Sequence, residues 1–430
     1  MQNGFGLKAV QATCAQTAEK LKKFPELAQI FRQCYLNTLE TTVERLPNGN
    51  TFVITGDIPA MWLRDSSAQA RAYLPLAAAD AELAALLRGL IRQQAACLMI
   101  DPYANAFNRE PNGLHNSADH TEMGSWVWER KFELDSLCAP VQLLYDYWQV
   151  THEESLFDEN IYAMLKRVVE VMLIEQRHDV YSRYYFMRHD EERPLDTLVS
   201  EGRGRAVNVT GMIWSGFRPS DDACTFGYHL PSNMFAVVVL GYIETFAHQF
   251  YHDPQLAGQA GSLRKAVEQG IQDYGIVQHP RFGRIYAYET DGFGNHLLMD
   301  DANVPSLLSI PYLGYRTAAD PIYQNTRAFV LSSENPYFVN GAQASGIGSP
   351  HTAAGFIWPI SLIVQGMTAS AAAEKRTLLD QLVRTTAGTH YMHESFDPND
   401  PARYTRSWFA WANSLFAEWV LRLVDEDVLK

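Results

Sequence analysis

The links between the helices limit what this chain can fold into more tightly than the helices themselves. Apolar residues recur at helical spacing along most of its length. They fall at Leu27, Ile30, Phe31, Cys34, Tyr35 and Leu39 within 15–44, and at Leu134, Leu137, Val141, Leu144 and Trp148 within 131–150. Trp408, Trp411, Leu415, Trp419, Leu421 and Leu423 continue the pattern at the C-terminus. Further helices are predicted near 65–79, 82–100, 155–178, 231–250, 255–274, 302–314, 319–331, 355–367 and 369–387, about twelve in all. Every second link is short, as between antiparallel neighbours. The others are long, spanning 45–64, 101–130, 179–230, 275–301, 332–354 and 388–405. In an up-and-down array alternate loops emerge at one end, so the six long loops gather on one face of a ring of six helical hairpins. The expected fold is all-α, an (α/α)6 barrel, with its functional loops on that face. The run Arg284–Gly292 alternates and ends in Asp-Gly, which predicts a short β-hairpin around 284–300. No Pro/Gly/Ser-rich linker divides the chain, so one domain over residues 1–430 is expected.

Composition removes several function classes. With 35 Lys and Arg against 49 Asp and Glu, the net charge is −14, and no basic cluster suits a nucleic-acid backbone. The five cysteines are odd in number, widely spaced and without a CxxC pair, against both a disulfide framework and a thiolate zinc site. Residues Met1–Lys8 lack the order of a signal peptide, and no apolar run reads as a membrane span. A cytoplasmic protein, monomeric and without membrane or nucleic-acid partners, is the expectation. Aromatic residues make up 12% of the chain, which suits either a large core or a site where ring faces stack on sugars.

Four polar clusters fall in the long loops. In Thr55–Ser67, Gly56 and Pro59 shape a turn beside Trp62, Arg64 and Asp65, an aromatic face with a donor fork and an acceptor for vicinal hydroxyls. The same residues could instead cap the next helix and pair with a nearby acid. Asn108–Glu129 holds His115, Asp119, His120 and Glu122, whose spacing matches no zinc pattern, so hydroxyl recognition is favoured over a metal site. Trp126 and Trp128 alternate on a possible strand, one as a stacking platform and the other equally suited to the core. Trp214–Asn233 carries the adjacent carboxylates Asp221 and Asp222, whose side chains diverge on an extended backbone, and ends at Asn233. In His390–Asp400, Glu394 is flanked by His393 and aromatic residues. The glycine-rich run Gly341–Ser349 lacks the Lys-Ser/Thr of a phosphate loop and reads as a flexible pocket loop. No metal or cofactor is called for.

The segments TGDIPAMWLRDSSAQ (55–69), HTEMGSWVWERKFELDS (120–136), SGFRPSDDACTFGYHLPSN (215–233) and HESFDP (393–398) resemble glycoside hydrolase family 125. That family comprises metal-independent, exo-acting α-1,6-mannosidases with an (α/α)6 fold. The resemblance implies removal of non-reducing terminal α-1,6-linked mannose from N-glycan-type oligosaccharides, with inversion. It places the general acid on Asp221, with Asp222 as the alternative, and the general base on Glu394. Protonating a leaving oxygen at neutral pH calls for an acid whose pKa is raised, and Asp221 is expected to be so. Substrate contacts are expected from Trp62, Arg64, Asp65, His120, Glu122, Trp126, Asp222, Asn233 and His393. A sugar epimerase or isomerase and a non-catalytic glycan-binding protein are the other readings. The first would use paired histidines, and the second has no need of tuned acids.

Overall fold

A computed structural model describes residues 7–115, 117–189 and 193–429. The extreme N-terminal segment read above, residues 1–6, lies outside them.

The ring of hairpins is built as the link pattern predicts. Its inner helices are Leu63–Arg71, Leu134–Thr151, Leu230–Gln249, Ile310–Leu313, Pro359–Met367 and Ala410–Asp425. Each but the last is followed by an outer partner: Ala81–Ile100, Glu159–Glu175, Pro254–Tyr274, Pro321–Val330 and Ala372–Arg384. The last inner helix takes its partner from the other end of the chain, Pro25–Thr41, and this closes the ring. Thr38 and Ser414 share a hydroxyl hydrogen bond of 2.9 Å, and Asn413 Nδ2 donates to Asn37 Oδ1 at 3.0 Å. Lys8–Lys20 packs outside Pro25–Thr41. A continuous apolar core runs from Leu7 to Val428.

Local chemistry explains where boundaries depart from prediction. The helix expected over 15–44 is two helices, because Pro25 has no N–H to continue a first helix and starts the second at its N1 position. Only Ile310–Leu313 of the expected 302–314 is helical. Upstream, the buried Asp300 accepts from the N–H groups of Leu307 (2.8 Å) and Leu308 (2.9 Å), which fixes a turn in place of a first helical turn. Against the expectation that no apolar run spans a membrane, two 20-residue helices, Ala81–Ile100 and Leu230–Gln249, are long and apolar enough to do so. The ring uses them as core helices, burying 61% and 67% of their most apolar 18-residue stretches.

Strands are more numerous than the one hairpin predicted. Glu289–Thr290 pairs with His296–Leu297 around the Asp291-Gly292 turn, where Asp291 Oδ1 accepts from Phe293 N (2.8 Å) and Asn295 N (3.2 Å). The preceding half of that run, Gly283–Tyr286, pairs backwards with Ile276–His279 instead. Strands from the first two long loops, Met61–Trp62, Ala106–Phe107 and Val127–Glu129, form one three-stranded sheet. The glycine-rich 341–349 run is no loose loop. It joins and forms part of the hairpin Phe338–Asn340/Ser345–Ile347, and Gln343 N donates to Pro398 O at 2.9 Å beneath the 393–405 segment.

The two ends of the ring differ in charge. Inner helices enter from the long-loop face, so their N-termini and positive dipole ends converge there, with Asp65 and Asp135 in first turns. At the opposite end Arg71 closes the axis. It bonds Asp146 at 2.9 Å and lies 4.9 Å over the Tyr312 ring, beside Glu418.

Candidate active site

A cavity of about 650 Å³ opens on the long-loop face, lined by long-loop residues and by Arg64, Asp65 and Trp411 from the first turns of inner helices. Asp221 enters it from a tight turn. Phe217 and Ala223 bridge as an antiparallel pair, Arg218 N donates to Asp222 O (2.8 Å), and Asp221 N donates to Arg218 O (2.9 Å). Pro219 presets the first loop position, and Asp221 takes the left-handed φ of 68° that Asp tolerates better than most residues. The turn is anchored by Arg218, whose Nε donates to the buried Glu289 at 2.6 Å. The hairpin at Asp291-Gly292 thus supports the turn that presents Asp221. Asp222 points elsewhere and accepts from His351 Nδ1 at 3.1 Å. The two carboxylates diverge, as neighbouring side chains do.

Behind Asp221 lies a buried ionic cluster built by strand periodicity. Residues 127–133 run extended into the second inner helix, so Glu129, Lys131 and Glu133 share one face. Lys131 donates to Asp196 (2.5 Å) and to the Asp221 carbonyl (2.8 Å). Arg64 sits among four carboxyls: Glu133 at 2.5 Å, Asp135 at 3.2 Å, Asp65 at 3.5 Å and Asp221 at 3.6 Å. Asn105 Nδ2 reaches Glu129 at 2.9 Å, and Glu133 and Asp221 at 3.4 Å each. The resulting charge pattern reverses the expectation for Asp221. Burial resists its ionisation, but Lys131, Arg64 and a hydrogen bond from Glu133 hold its carboxyl below the usual range. Burial instead pushes Glu133 well up; Arg64 opposes this, and Asp221 and Asp135 reinforce it.

Glu394 faces the cavity from the other side. It directly precedes strand Ser395–Phe396, which pairs with Tyr404–Thr405, so Arg406 stands opposite it across the hairpin. Arg406 Nη1 donates to Glu394 at 3.3 Å, and its other nitrogens bond Asp57 from the first long loop. Gly56 makes that approach possible. At φ 135°, a Cβ there would meet the Trp408 ring at 3.1 Å. His351 lines the same cavity. Burial disfavours its charge, yet Asp222, Asp221 and Glu394 raise its pKa to about 9.

The cavity gathers Asp221, Glu394, Trp62, Arg64 and Asp65 from the residues expected of it. Arg64 pairs with acids, as its alternative reading allowed, but the helix starts at Leu63, so Asp65 is no cap and binds the Thr55 hydroxyl at 2.6 Å. Six expected contacts lie off the cavity lining. His120 is exposed, with its backbone paired to Met187, and Glu122 is exposed as well. Trp126 stands outside, and Trp128 is buried against Trp62. Asn233 binds the backbone of Ile213 and His229, His393 stacks on Tyr404 at 3.8 Å, and Asp222 holds His351. Trp214, from the same motif, is core, stacked on His178. Asp119 accepts from Arg188 with both carboxylate oxygens, at 2.6 and 2.8 Å. Among the described residues no three His, Cys, Asp or Glu are grouped to hold a metal ion. Sequence reasoning missed Lys131, Glu133, His351, Trp358, Arg406 and Trp411. For the first two the signal was present, as alternation in Trp-Glu-Arg-Lys-Phe-Glu.

The chain is similar to known proteins. The family model for metal-independent α-mannosidases (GH125) matches residues 24–421. A Streptococcus pneumoniae metal-independent α-mannosidase, solved in a non-productive complex with α-1,6-mannobiose, is 49% identical, with 97% of this chain and 98% of that one covered and a TM-score of 0.95. The meiotically up-regulated gene 157 protein of Schizosaccharomyces pombe is 42% identical over 98% of this chain and 86% of its own length. A bacterial glucoamylase bound to acarbose shares the fold alone, at 13% identity and a TM-score of 0.53, over 85% of this chain and 48% of that one. The chain therefore belongs to the GH125 family of metal-independent α-mannosidases.

Proposed function

We propose that the protein removes single α-1,6-linked mannose residues from the non-reducing ends of N-glycan-type oligosaccharides with inversion. Asp221 is the general acid and Glu394 the general base. The observation that carries this reading is that both carboxylates line one cavity from the third and sixth long loops, across the ring from each other, in a fold whose relative was solved with α-1,6-mannobiose. The closed end suits a terminal sugar, because the plug of Arg71, Asp146 and Tyr312 leaves a chain no exit. Arg64 and Asp65 offer a donor fork and an acceptor to the sugar's hydroxyls, and Trp62, Trp358 and Trp411 supply apolar faces. In the reaction Asp221 gives a proton to the glycosidic oxygen as its bond to the anomeric carbon breaks. Glu394 takes a proton from water as the water oxygen bonds that carbon from the other side. Arg406, tied to Asp57, fixes the Glu394 carboxylate without covering the cavity between.

The isomerase reading needs two facing histidines, whereas His351 is the one histidine lining the cavity among the described residues and is bound to Asp222. Incubation with an α-1,6-linked mannotriose tests the proposal. Free mannose is expected as the sole early monosaccharide product, with mannobiose as its complement. An isomerised, uncleaved sugar would replace hydrolysis with the second reading.

A further inference from the structure

Asp221 must carry a proton when it meets the leaving oxygen, yet it lies beside Lys131 and Arg64, which favour its anion. We propose that Glu133 stores the catalytic proton and hands it to Asp221 during turnover. The proposal rests on Asp221 being the acid. Glu133 is a positioning residue, since its side chain is 0% exposed and it does not line the cavity, whereas Asp221 is 25% exposed there.

Charge counting makes a stored proton necessary. One guanidinium, Arg64, lies within 3.6 Å of four carboxyls, three of them almost completely buried. Four anions around one cation in a dry site cost far more than retaining a proton on one of them. The remaining charged groups facing the pair do not change the sign. Lys131 and Arg188 together are engaged by three acids, Asp196 (2.5 and 3.1 Å), Glu129 (3.8 and 2.8 Å) and, from Arg188, Asp119 (2.6 Å), and His351 is engaged by Asp222. Of the carboxyls, Glu133 is the one placed to pass a proton to Asp221. Asn105 Nδ2 reaches both at 3.4 Å, and Arg64 spans both, with Nη1 2.5 Å from Glu133 and Nη2 3.6 Å from Asp221. Glu133 Oε2 is occupied by Arg64 (2.5 Å) and Ser136 (2.9 Å), so the proton resides on Oε1, the oxygen that shares Asn105 with Asp221. The pair titrates as a unit, with one proton between two carboxyls.

The step balances. The Glu133 proton shifts to Asp221, Asp221 passes that same proton to the leaving oxygen, which keeps the electron pair of the broken bond, and both carboxyls are then anionic. The attacking water loses a proton to Glu394. After the products leave, Glu394 gives that proton up to solvent, and the emptied pair regains one.

Glu133→Gln tests this, because an amide keeps the hydrogen bond but cannot release the proton. At pH 7, kcat on α-1,6-mannobiose is expected to fall roughly 10²-fold or more, the usual worth of a general acid, with KM little changed. The alkaline limb of its kcat/KM profile is expected to move to lower pH, because Asp221 then titrates alone beside two cations. On 2,4-dinitrophenyl α-mannoside, whose leaving group needs no proton, kcat is expected to stay near wild type. Equal losses on both substrates, or an unmoved alkaline limb, would overturn the proton store. Asp221→Asn in parallel separates the two ideas, because full mannobiose activity there removes Asp221 as the acid itself. Should Glu133→Gln not fold, Glu133→Asp decides. It keeps a proton-carrying carboxyl and is expected to retain the wild-type alkaline limb; losing it while folded overturns the proposal.

Discussion

The two walls of the cavity carry one carboxylate each and are built on opposite principles. Asp221 stands in front of a buried cluster drawn from the first three long loops, where Arg64 and Lys131 face six carboxyls. Glu394 sits on a two-stranded hairpin with one arginine set opposite by register, and that arginine reaches a solvent-facing aspartate. Under the proposed roles, the difference follows from their tasks. A group that delivers a proton needs neighbours that hold and replace it, and a dry cluster with too few cations does this. A group that activates water needs a fixed direction and open space, which a hairpin with one arginine provides.

Removing either carboxylate should give the largest effect and test whether the walls differ. Asp221→Asn and Glu394→Gln should each lower kcat on α-1,6-mannobiose by roughly 10²–10⁴-fold with the fold intact. On a dinitrophenyl mannoside only Asp221→Asn should recover, because only the acid becomes dispensable. Recovery of both would erase the distinction between the walls.

Arg64→Met comes next. It strands four carboxyls without their shared cation, at a cost of about 3–5 kcal/mol in unfolding free energy at pH 7. Glu133, Asp135 and Asp65 are all raised by burial, so between their unfolded and folded pKa values the folded state binds the extra protons. Stability in that window falls as pH rises, and losing Arg64 widens the window. Denaturant melts at pH 5 and pH 7 check this, and a deficit that grows towards acid would contradict it.

These carboxyls also show how far the sequence could be read. The ring and its six long loops followed from helix spacing and link length, and Asp221, Glu394, Arg64, Asp65 and Trp62 followed from short motifs. The same motifs include Asn233 and His393, which lie off the cavity lining, because a segment that presents a carboxylate to the cavity also contains residues that hold its own backbone, as these two do. Glu133 and Lys131 were legible through two-residue alternation, a signal obscured by the neighbouring tryptophans. His351 was not legible locally. It reaches Asp222 across 129 residues of chain, and only the closed ring brings them together.

His351 gives a smaller, pH-marked effect. Its folded pKa of about 9 lies above the unfolded value, so its contribution is complete below about 6.5 and disappears as pH rises through 9. His351→Gln should cost on the order of 2 kcal/mol at pH 6 and close to nothing at pH 10, read from thermal or denaturant melts. A deficit independent of pH would mean that the histidine acts by packing. Asp57→Asn should matter least. Asp57 is 55% exposed, and Arg406 keeps Glu394 without it, so KM and kcat should change by about threefold or less in steady-state assays.

Stereochemistry tests the two-wall account most directly. If Glu394 activates water while Asp221 protonates the leaving oxygen from the opposite wall, the bond forms on the face away from the one that breaks. Proton NMR of the first turnovers on α-1,6-mannobiose should then show the β-mannose anomeric signal growing before mutarotation supplies the α form. An α signal appearing first would mean retention, with Glu394 attacking the sugar itself, and would contradict the division of labour between the walls.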